Sequence, residues 1–599
     1  MFRRSSNQGS LWESAFQMSD RKRRRLEKTW ATAFRERCLP LIDEERFRAL
    51  YCADNGAPCK SVRLVVAVTI LRHLFDLTHE ETQYHVDFDL RWHLALGLDP
   101  CDDDDYVSER TLRYFEAKLV EHDVVGVLFT DLTDQLLARL GVKTGQQRLD
   151  TTHLLSNVAR LSRLGLFCET HRVLLKALRR EDASLLERLP RSLCRRYLRE
   201  DGTDSSYDDA RASDSRRRLA VAARDAYRLR EALRGVALPK DAADAYAILT
   251  RLVDEHCEIV NDPQAAAEGD ADADLAPVPV MVKNAKQLTG NVLQTPHDPD
   301  VTYSGHKGQG YEALLAETCD PDNPVQLITH VSLERSCGSD ADRVLPTVEA
   351  LTARAMAPET LLADTTFGSQ ANYAACAVQG IELIAPLPGA GEATPAGEET
   401  GEETVEAAGF MVQCFPGDEP SLCPAGIEAE ATVIRQATAG PVALLRMPAG
   451  ACDGCARRAR CPLVTTADGQ TVALLEIGDT LRDDRRAFVQ TAAFQDAYRP
   501  RAGIEGTNSE LKRGQGLGDV RVRGAARMQL ALIMRVLACN VKRALQYWEK
   551  QAKTARISPN LVGHALQRRL QHARTATRER IAPIELAKSI YGRRVAAAA

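Results

Sequence analysis

The sequence predicts an α/β fold whose sheet contains at least some parallel strands and is flanked by several helical segments. Short apolar patterns typical of strands occur at 147–154, 360–364 and 381–387, and they alternate with helical patterns at 340–356 and 369–378. This alternation of strand and helix is typical of parallel strands in an α/β sheet. The chain of 599 residues is 44% hydrophobic, which is enough apolar material for several packed domains.

The first 125 residues divide into a basic tail and a helical domain. Residues 1–40 carry consecutive basic residues at 21–25 and are expected to be poorly ordered. Residues 41–125 are expected to be helical, because one helical pattern follows Ser61 and another follows Ser108, and serine is a favoured N-cap. Small helical domains of this kind often place one helix in a DNA groove, although any helical bundle gives the same pattern.

A large insertion is predicted within the core. Two further strand patterns, at 310–319 and 325–333, are joined by a turn, and the core is assigned to 146–156 and 300–387. The intervening residues 157–299 are predicted to form a helical insertion followed by an acidic linker. Their high arginine content is compatible with a DNA-binding surface or with a solvated helical face. The net charge of −5 favours neither interpretation, because acidic and basic residues are grouped in separate segments.

The C-terminal third contains a second insertion, a helix with charged residues and a helical tail. Residues 388–490 combine a Gly-, Glu- and Thr-rich stretch, expected to be a flexible loop, with a β-rich segment that carries cysteines. Residues 491–522 contain a predicted helix over 498–512, and residues 523–599 are expected to form C-terminal helices. The chain therefore divides into a helical N-terminal domain, an α/β core, two insertions and C-terminal helices.

The composition argues against a membrane protein and against secretion. No run of about twenty apolar residues occurs, and the basic N-terminus is not followed by an apolar segment. We therefore expect a cytoplasmic protein with no membrane partner. In that compartment the sixteen cysteines should mostly be reduced thiols rather than disulfides.

One short run combines four chemically distinct side chains on one helical face. At about 100° per residue, Tyr498, Arg501, Glu505 and Lys512 fall within about 60° of one another. A carboxylate among cationic side chains is typical of a site where a divalent metal and phosphate oxygens meet, because the acid binds the metal and the bases bind the phosphates. Glu510 is the alternative helix acid, and it lies about 140° from Glu505 around the helix.

Two further acids lie in strand patterns far from this helix. Asp150 lies within the strand pattern 147–154, and Asp364 ends the pattern 360–364. The ends of strands in an α/β sheet form its functional edge. Together with Glu505, they give three carboxylates from separate segments, which could hold the two ions, about 3.5–4 Å apart, that phosphodiester attack requires. Taken singly, an aspartate at a strand end is more often a cap or turn residue.

Three motifs together resemble those of a known family. They are Leu-Asp-Thr-Thr at 149–152, Ala-Asp-Thr-Thr-Phe-Gly at 363–368 and the spaced Tyr, Arg, Glu and Lys at 498–512. This set resembles the DDE transposases of bacterial insertion sequences, in the group with the Tyr-Arg-Glu-Lys signature. The N-terminal helical domain and the segment 297–311 are also similar to parts of that family, so the resemblance covers most of residues 41–550.

The resemblance implies a ribonuclease H-like core with three catalytic acids. Asp150, Asp364 and Glu505 would be the catalytic residues and the ligands of two Mg²⁺ or Mn²⁺ ions. The residues implied to contact the DNA backbone are Tyr498, Arg501 and Lys512.

The activity implied by the resemblance is DNA transposition in the bacterial cytoplasm. Such an enzyme binds the terminal inverted repeats of its element, cleaves a strand at the element end and joins the freed 3′-hydroxyl to target DNA. Holding two ends together implies at least a homodimer in the active complex. Two alternatives stay open: a ribonuclease H-like nuclease or resolvase that does not transpose, and a domesticated DNA-binding derivative. The intact set of three acids disfavours the second alternative.

Four cysteines in the second insertion predict a candidate structural zinc site. Cys452 and Cys455 form one Cys-x-x-Cys knuckle, with Cys423 before it and Cys461 after it. Four thiolates suit tetrahedral Zn²⁺, and a metal here would offset the entropic cost of closing a long loop. Because a second knuckle is missing, four metal-free thiols are an equal alternative. Cys414 is a spare ligand candidate.

Overall fold

The structure is a computed structural model of the chain. It describes residues 18–52, 59–99, 106–209, 211–260, 277–387, 410, 412, 420–437, 440–465, 470–476 and 489–556. The predictions for residues 1–17, for the Gly-, Glu- and Thr-rich loop at 388–408 and for the part of the C-terminal helices beyond residue 556 lie outside the described residues. Within the described ranges, no helix is long and apolar enough to cross a membrane.

The N-terminal part is helical and shares one apolar core with the central sheet and the C-terminal helix. Its α-helices are Asp20–Leu26, Trp30–Ala33, Val62–Leu74, His79–Phe88, Leu90–Leu96, Glu109–Glu121 and Val125–Leu140. The hydroxyls of Ser61 and Ser108 cap two of these helices, as predicted. Residues 18–40 differ from the poorly ordered tail predicted for them. Phe34, one helical turn after Trp30, is fully buried, so this segment contributes to the core.

Twelve strands form three sheets in the described part of the chain. They are β1 (Gln146–Leu154), β2 (Cys257–Ile259), β3 (Val280–Val282), β4 (Thr302–Ser304), β5 (Gly308–Thr318), β6 (Ile328–Arg335), β7 (Thr360–Leu362), β8 (Glu382–Ile384), β9 (Ala431–Ala437), β10 (Gly440–Arg446), β11 (Leu463–Thr465) and β12 (Thr471–Glu476). The central sheet has the order β5–β1–β7–β8, and both β4 and β6 pair with β5. β1, β7 and β8 are parallel, whereas β4, β5 and β6 are antiparallel to their partners. This mixed sheet confirms the α/β class and is compatible with a ribonuclease H-like core.

The register of β1 and β7 brings the two strand acids side by side. Arg148 on β1 is level with Leu362 on β7 in the parallel pair. Asp150 and Asp364 each lie two residues further along the chain, on the same side of the pleat. The two helices predicted around β7 are observed at Val344–Thr352 and Gln370–Val378.

The first insertion folds around an apolar core of its own. Its α-helices are Arg163–Glu181, Ala183–Glu187, Arg191–Tyr197, Ala212–Leu233 and Lys240–His256, and β2 pairs with β3 at its end. Phe167, Leu174 and Tyr197 are fully buried in a cluster separate from the main core. The insertion begins after β1 and ends before β4. It therefore separates two strands of the central sheet along the chain, whereas the folded sheet is continuous.

The second insertion contains a small antiparallel sheet, as its β-rich pattern predicted. The strand order is β11–β12–β10–β9, and Leu445 and Leu475 are buried on one face of this sheet. The sheet lies in sequence between β8 and the helical segment that carries Glu505.

The segment predicted as one helix over 498–512 is divided into several helical pieces. These are the α-helix Ala492–Tyr498, the 3₁₀ turn Arg499–Ala502, the α-helix Gly503–Ser509 and the π-helical turn Glu510–Gly514. Pro500 lies at the start of the 3₁₀ turn, where its missing N–H group is tolerated. The wider π-helical turn changes the direction of Lys512 relative to an ideal α-helix. The predicted long helix follows at Ala525–Arg556.

Candidate active site

Asp150 is a nearly buried carboxylate in the middle of the central sheet. Its side chain is only 10% exposed, and the preceding Leu149 is fully buried. Its Oδ1 accepts a hydrogen bond from Nη2 of Arg501 at 3.2 Å, and its Oδ2 accepts one from Nδ2 of Asn508 at 2.9 Å. Both donors belong to the helical segment near residue 500, so this segment and the sheet meet at the Asp150 carboxylate.

Asp364 lies just beyond β7 and caps the 3₁₀ turn Thr365–Phe367. Its Oδ1 accepts hydrogen bonds from the backbone N–H of Thr366 at 2.9 Å and from the Thr366 hydroxyl. Capping of this kind is common for an aspartate at a strand end. The cap fixes the carboxylate beside Asp150 while leaving its side chain 34% exposed.

The guanidinium of Arg501 contacts all three predicted acids. Its Nη2 lies 3.2 Å from Oδ1 of Asp150 and 3.6 Å from Oδ2 of Asp364. Its Nη1 lies 3.5 Å from Oε1 of Glu505. Arg501 is 14% exposed and Glu505 is 73% exposed, so Glu505 lies on the solvent side. We call Asp150, Asp364 and Glu505 the acid cluster; the structure gathers it around one cationic side chain.

A fully buried carboxylate fixes the helical segment against the sheet. Glu317 on β5 pairs with Arg148 on β1, with 2.5 Å between Nη2 and Oε2, and accepts a hydrogen bond from the Thr507 hydroxyl at 2.7 Å. Arg148 also donates to the carbonyl oxygen of Pro500 at 2.6 Å. A Cβ atom at Gly503 would lie 2.1 Å from Nη1 of Arg148, so the glycine allows this close approach. These contacts hold the helical segment, and with it the acid cluster.

Tyr498 and Lys512 lie beside the acid cluster, although the structure records no hydrogen bond from either to it. The Tyr498 ring stacks on Phe494, with the ring centroids 5.2 Å apart. Burial raises the pKa of Tyr498, Arg501 opposes this rise, and the nearby carboxylates add to it. Burial and the neighbouring Lys307 lower the pKa of Lys512, whereas Asp150 opposes this change. All four residues of the motif therefore surround the same region.

The alternative helix acid, Glu510, belongs to a different set of contacts. Its carboxylate lies 3.0 Å from Nζ of Lys542 and 2.9 Å from Nη2 of Arg543, both on the long C-terminal helix. The Glu510 carboxylate is partly buried, and these two cations are its recorded ion-pair partners. Glu510 therefore joins two helices and does not take part in the acid cluster.

The acid cluster has donor chemistry that fits a hard divalent cation. Burial raises the pKa of the Asp150 carboxyl, Arg501 opposes this rise and the Asp364 carboxylate adds to it, so a nearby cation stabilises the ionised form. Oδ1 of Asn508 is a further oxygen, buried without a hydrogen-bond partner. Across the described residues, however, no group of three or more His, Cys, Asp or Glu side chains forms a metal site. The position between the carboxylates is taken by Arg501.

Two sets of contacts to the acid cluster are absent from the sequence predictions. Asn508 follows Glu505 by three residues, a spacing that places both on one helical face and could have indicated it. Asp340 lies outside the motifs, and its Oδ2 is 3.2 Å from the Thr366 hydroxyl that binds Asp364. No local sequence pattern indicates this second contact, because it depends on the packing of two loops.

The four cysteines predicted to bind zinc line one small cavity. The cavity has a volume of about 20 Å³, and its lining includes Cys423, Cys452, Cys455 and Cys461. Burial, with the neighbouring cysteines, raises the pKa values of Cys452 and Cys461. Cysteines in the described ranges are free thiols, and Cys414 lies outside those ranges. The structure thus groups the four thiols without arranging them as a coordination site.

Comparisons with protein families give two matches. Residues 422–545 match a family described as a transposase DDE domain, and residues 23–118 match a transposase domain (DUF772). The first match includes Glu505 but neither Asp150 nor Asp364. No curated protein and no solved structure matches the chain. Together, the two family matches support a DDE transposase of the insertion-sequence type.

Proposed function

We propose that this protein is a DNA transposase with a ribonuclease H-like catalytic core, in the group with the Tyr-Arg-Glu-Lys signature. The observation that carries the proposal is the meeting of Asp150, Asp364 and Glu505 around one guanidinium, although they come from three distant segments. The family match over 422–545 supports the same class of enzyme. Because transposases act on DNA, that match also supports DNA as the partner.

The acid cluster would supply the metal ligands for strand cleavage and strand transfer. Asp150, Asp364 and Glu505 would hold two Mg²⁺ or Mn²⁺ ions, which in such sites activate a water or a 3′-hydroxyl and stabilise the leaving oxygen. The side chain of Asn508 orients Asp150, and the hydroxyl of Thr366 orients Asp364. Both aspartates therefore have a neighbour that restricts their rotation, which favours a defined geometry for the attacking group.

Cationic and aromatic groups beside the acid cluster fit the DNA backbone. We propose that Tyr498, Arg501 and Lys512 contact phosphates near the cleaved strand, a kind of contact that positions DNA without reading its sequence. The first insertion adds exposed cationic side chains, which support its interpretation as a second DNA-contacting surface: Lys176, Arg179, Arg180, Arg188, Arg191, Arg195 and Arg199. Two element ends held in one complex would require at least a dimer.

The proposal is tested by strand cleavage of DNA that carries the inverted repeats flanking the gene. With Mg²⁺ or Mn²⁺, the full-length protein is expected to nick this DNA at the element end and to join the 3′ end to a target plasmid. The matched control is the same DNA with scrambled repeats, which should stay uncut. Equal cleavage of both DNAs would instead identify a nuclease or resolvase. Binding to the repeats without cleavage would identify a DNA-binding derivative.

We also propose that Cys423, Cys452, Cys455 and Cys461 hold a structural Zn²⁺, since they line one cavity. Protein purified under reducing conditions is expected to contain about one zinc per chain by elemental analysis. Replacing Cys455 by serine removes a thiolate ligand and should lower the zinc content strongly. Cys194→Ser, a thiol in the other insertion, should leave it unchanged. Zinc-free wild-type protein would contradict the proposal.

A further inference from the structure

Arg501 holds the position that a metal ion would take between the carboxylates. Its two terminal nitrogens reach Asp150, Asp364 and Glu505 at distances of 3.2–3.6 Å. These three acids are its recorded partners in the described part of the chain, and its Nε is buried without a hydrogen-bond partner. A guanidinium does not deprotonate in proteins, so this positive charge is permanent. The side chain is therefore held by the acid cluster itself.

This arrangement and metal binding exclude one another. A divalent ion such as Mg²⁺ binds carboxylate oxygens at about 2.0–2.1 Å. It would compete for the oxygens that now face the guanidinium, and a cation bound there would repel Arg501 at close range. The metal can thus enter only when Arg501 leaves, and the cost of breaking these contacts lowers the metal affinity of the protein without DNA.

We propose that Arg501 is an internal counter-ion that couples metal binding to DNA binding; this inference rests on the proposed function. In the DNA-free protein, the guanidinium neutralises the acid cluster. A DNA phosphate, for which a guanidinium is a favoured partner, draws Arg501 away and opens the carboxylates to the metal. Because such coupling is reciprocal, DNA tightens metal binding and the metal tightens DNA binding by the same factor.

The test measures Mn²⁺ binding to the full-length protein without DNA, by titration with electron paramagnetic resonance. Arg501→Gln is expected to bind Mn²⁺ about 5- to 150-fold more tightly than the wild type, the range typical of coupled sites. Arg499→Gln is the matched control. It removes the same charge from the same helical segment, but Arg499 pairs with Asp496 and its side chain is 77% exposed. This control should bind Mn²⁺ like the wild type.

A second series adds uncleavable element-end DNA. The wild type and Arg499→Gln should then gain Mn²⁺ affinity, whereas Arg501→Gln should gain little, because its carboxylates are already free. Arg501→Lys keeps the positive charge but loses the paired terminal nitrogens of the guanidinium, so its Mn²⁺ affinity should lie between those of the wild type and Arg501→Gln. This variant also guards against misfolding of the glutamine variant. Equal Mn²⁺ affinities of Arg501→Gln and Arg499→Gln without DNA would overturn the coupling.

The same titration separates this inference from the proposed function. Asp150→Asn should abolish Mn²⁺ binding in every background if the acid cluster is the metal site. Loss of binding in Asp150→Asn, combined with no effect of Arg501→Gln, would overturn only the role of Arg501. Mn²⁺ binding that survives Asp150→Asn unchanged, with or without DNA, would overturn both.

Discussion

Replacing Asp150 by asparagine is expected to slow DNA strand cleavage by about 10³-fold or more, equivalent to at least about 4 kcal/mol of transition-state stabilisation. Asparagine keeps the size of the side chain but removes the negative charge that a divalent ion requires. Single-turnover cleavage of element-end DNA measures the effect. Affinity for the same DNA, measured without metal, should not fall, because the loss of the Asp150 charge weakens the hold of the acid cluster on Arg501. Asp364→Asn and Glu505→Gln should behave in the same way.

The matched control for this series is Glu510→Gln. Glu510 follows Glu505 by five residues in the same helical segment, but its carboxylate pairs with Lys542 and Arg543. Its replacement should leave the cleavage rate close to that of the wild type. If Glu510→Gln abolished cleavage and Glu505→Gln did not, the helix acid would be wrongly assigned.

Replacing Glu317 by alanine is expected to destabilise the central sheet by about 3–5 kcal/mol, because it leaves the buried Arg148 without its anion and Arg543 with Glu510 alone. Glu317 is fully buried between Arg148 and Arg543, whose side chains are 10% and 13% exposed. Loss of the carboxylate also removes the acceptor to which the Thr507 hydroxyl donates. Native-state hydrogen exchange is the suitable measurement, since the amides of β1 and β5 report the local free energy of opening in a protein with several cores.

Glu109→Ala is the control for this effect. Glu109 pairs with Arg113 one helical turn later, and both side chains are exposed, so its loss should cost less than about 1 kcal/mol. If Glu317→Ala changed exchange in β1 and β5 as little as Glu109→Ala, the buried network would not stabilise the sheet.

Local signals in the sequence are sufficient to predict the sheet and part of the acid cluster. The core strands are short, apolar and bounded by turn residues, so their existence follows from composition and spacing. Arg501 and Glu505 are four residues apart and were predicted to share a helical face, and the structure keeps them on the same side, with Nη1 and Oε1 3.5 Å apart. The predictions for Asp150 and Asp364 depend on the common direction of parallel strands, which the register of β1 and β7 satisfies.

Other features depend on contacts that no local pattern records. Glu317 meets Arg148 across 169 positions of sequence and Arg543 across 226, so their pairing requires the folded sheet. The 3₁₀ and π-helical turns around Gly503–Ser509 likewise depend on how the segment packs, and an ideal helix misses the resulting direction of Lys512. The position of Arg501 among the carboxylates could not be predicted, because the sequence indicated a basic residue directed at DNA.

The separate apolar core of the first insertion has a consequence for synthesis on the ribosome. β1 emerges long before β5, its antiparallel partner, and a flexible connection of this length would add a large entropic cost to their pairing. An insertion that folds early as its own unit would lower that cost, because it would hold its two flanking residues close together. In the folded sheet these residues, Leu154 and Thr302, both pair with residues near the start of β5. The nascent chain would then assemble the insertion first and complete the central sheet only after β7 and β8 have left the exit tunnel.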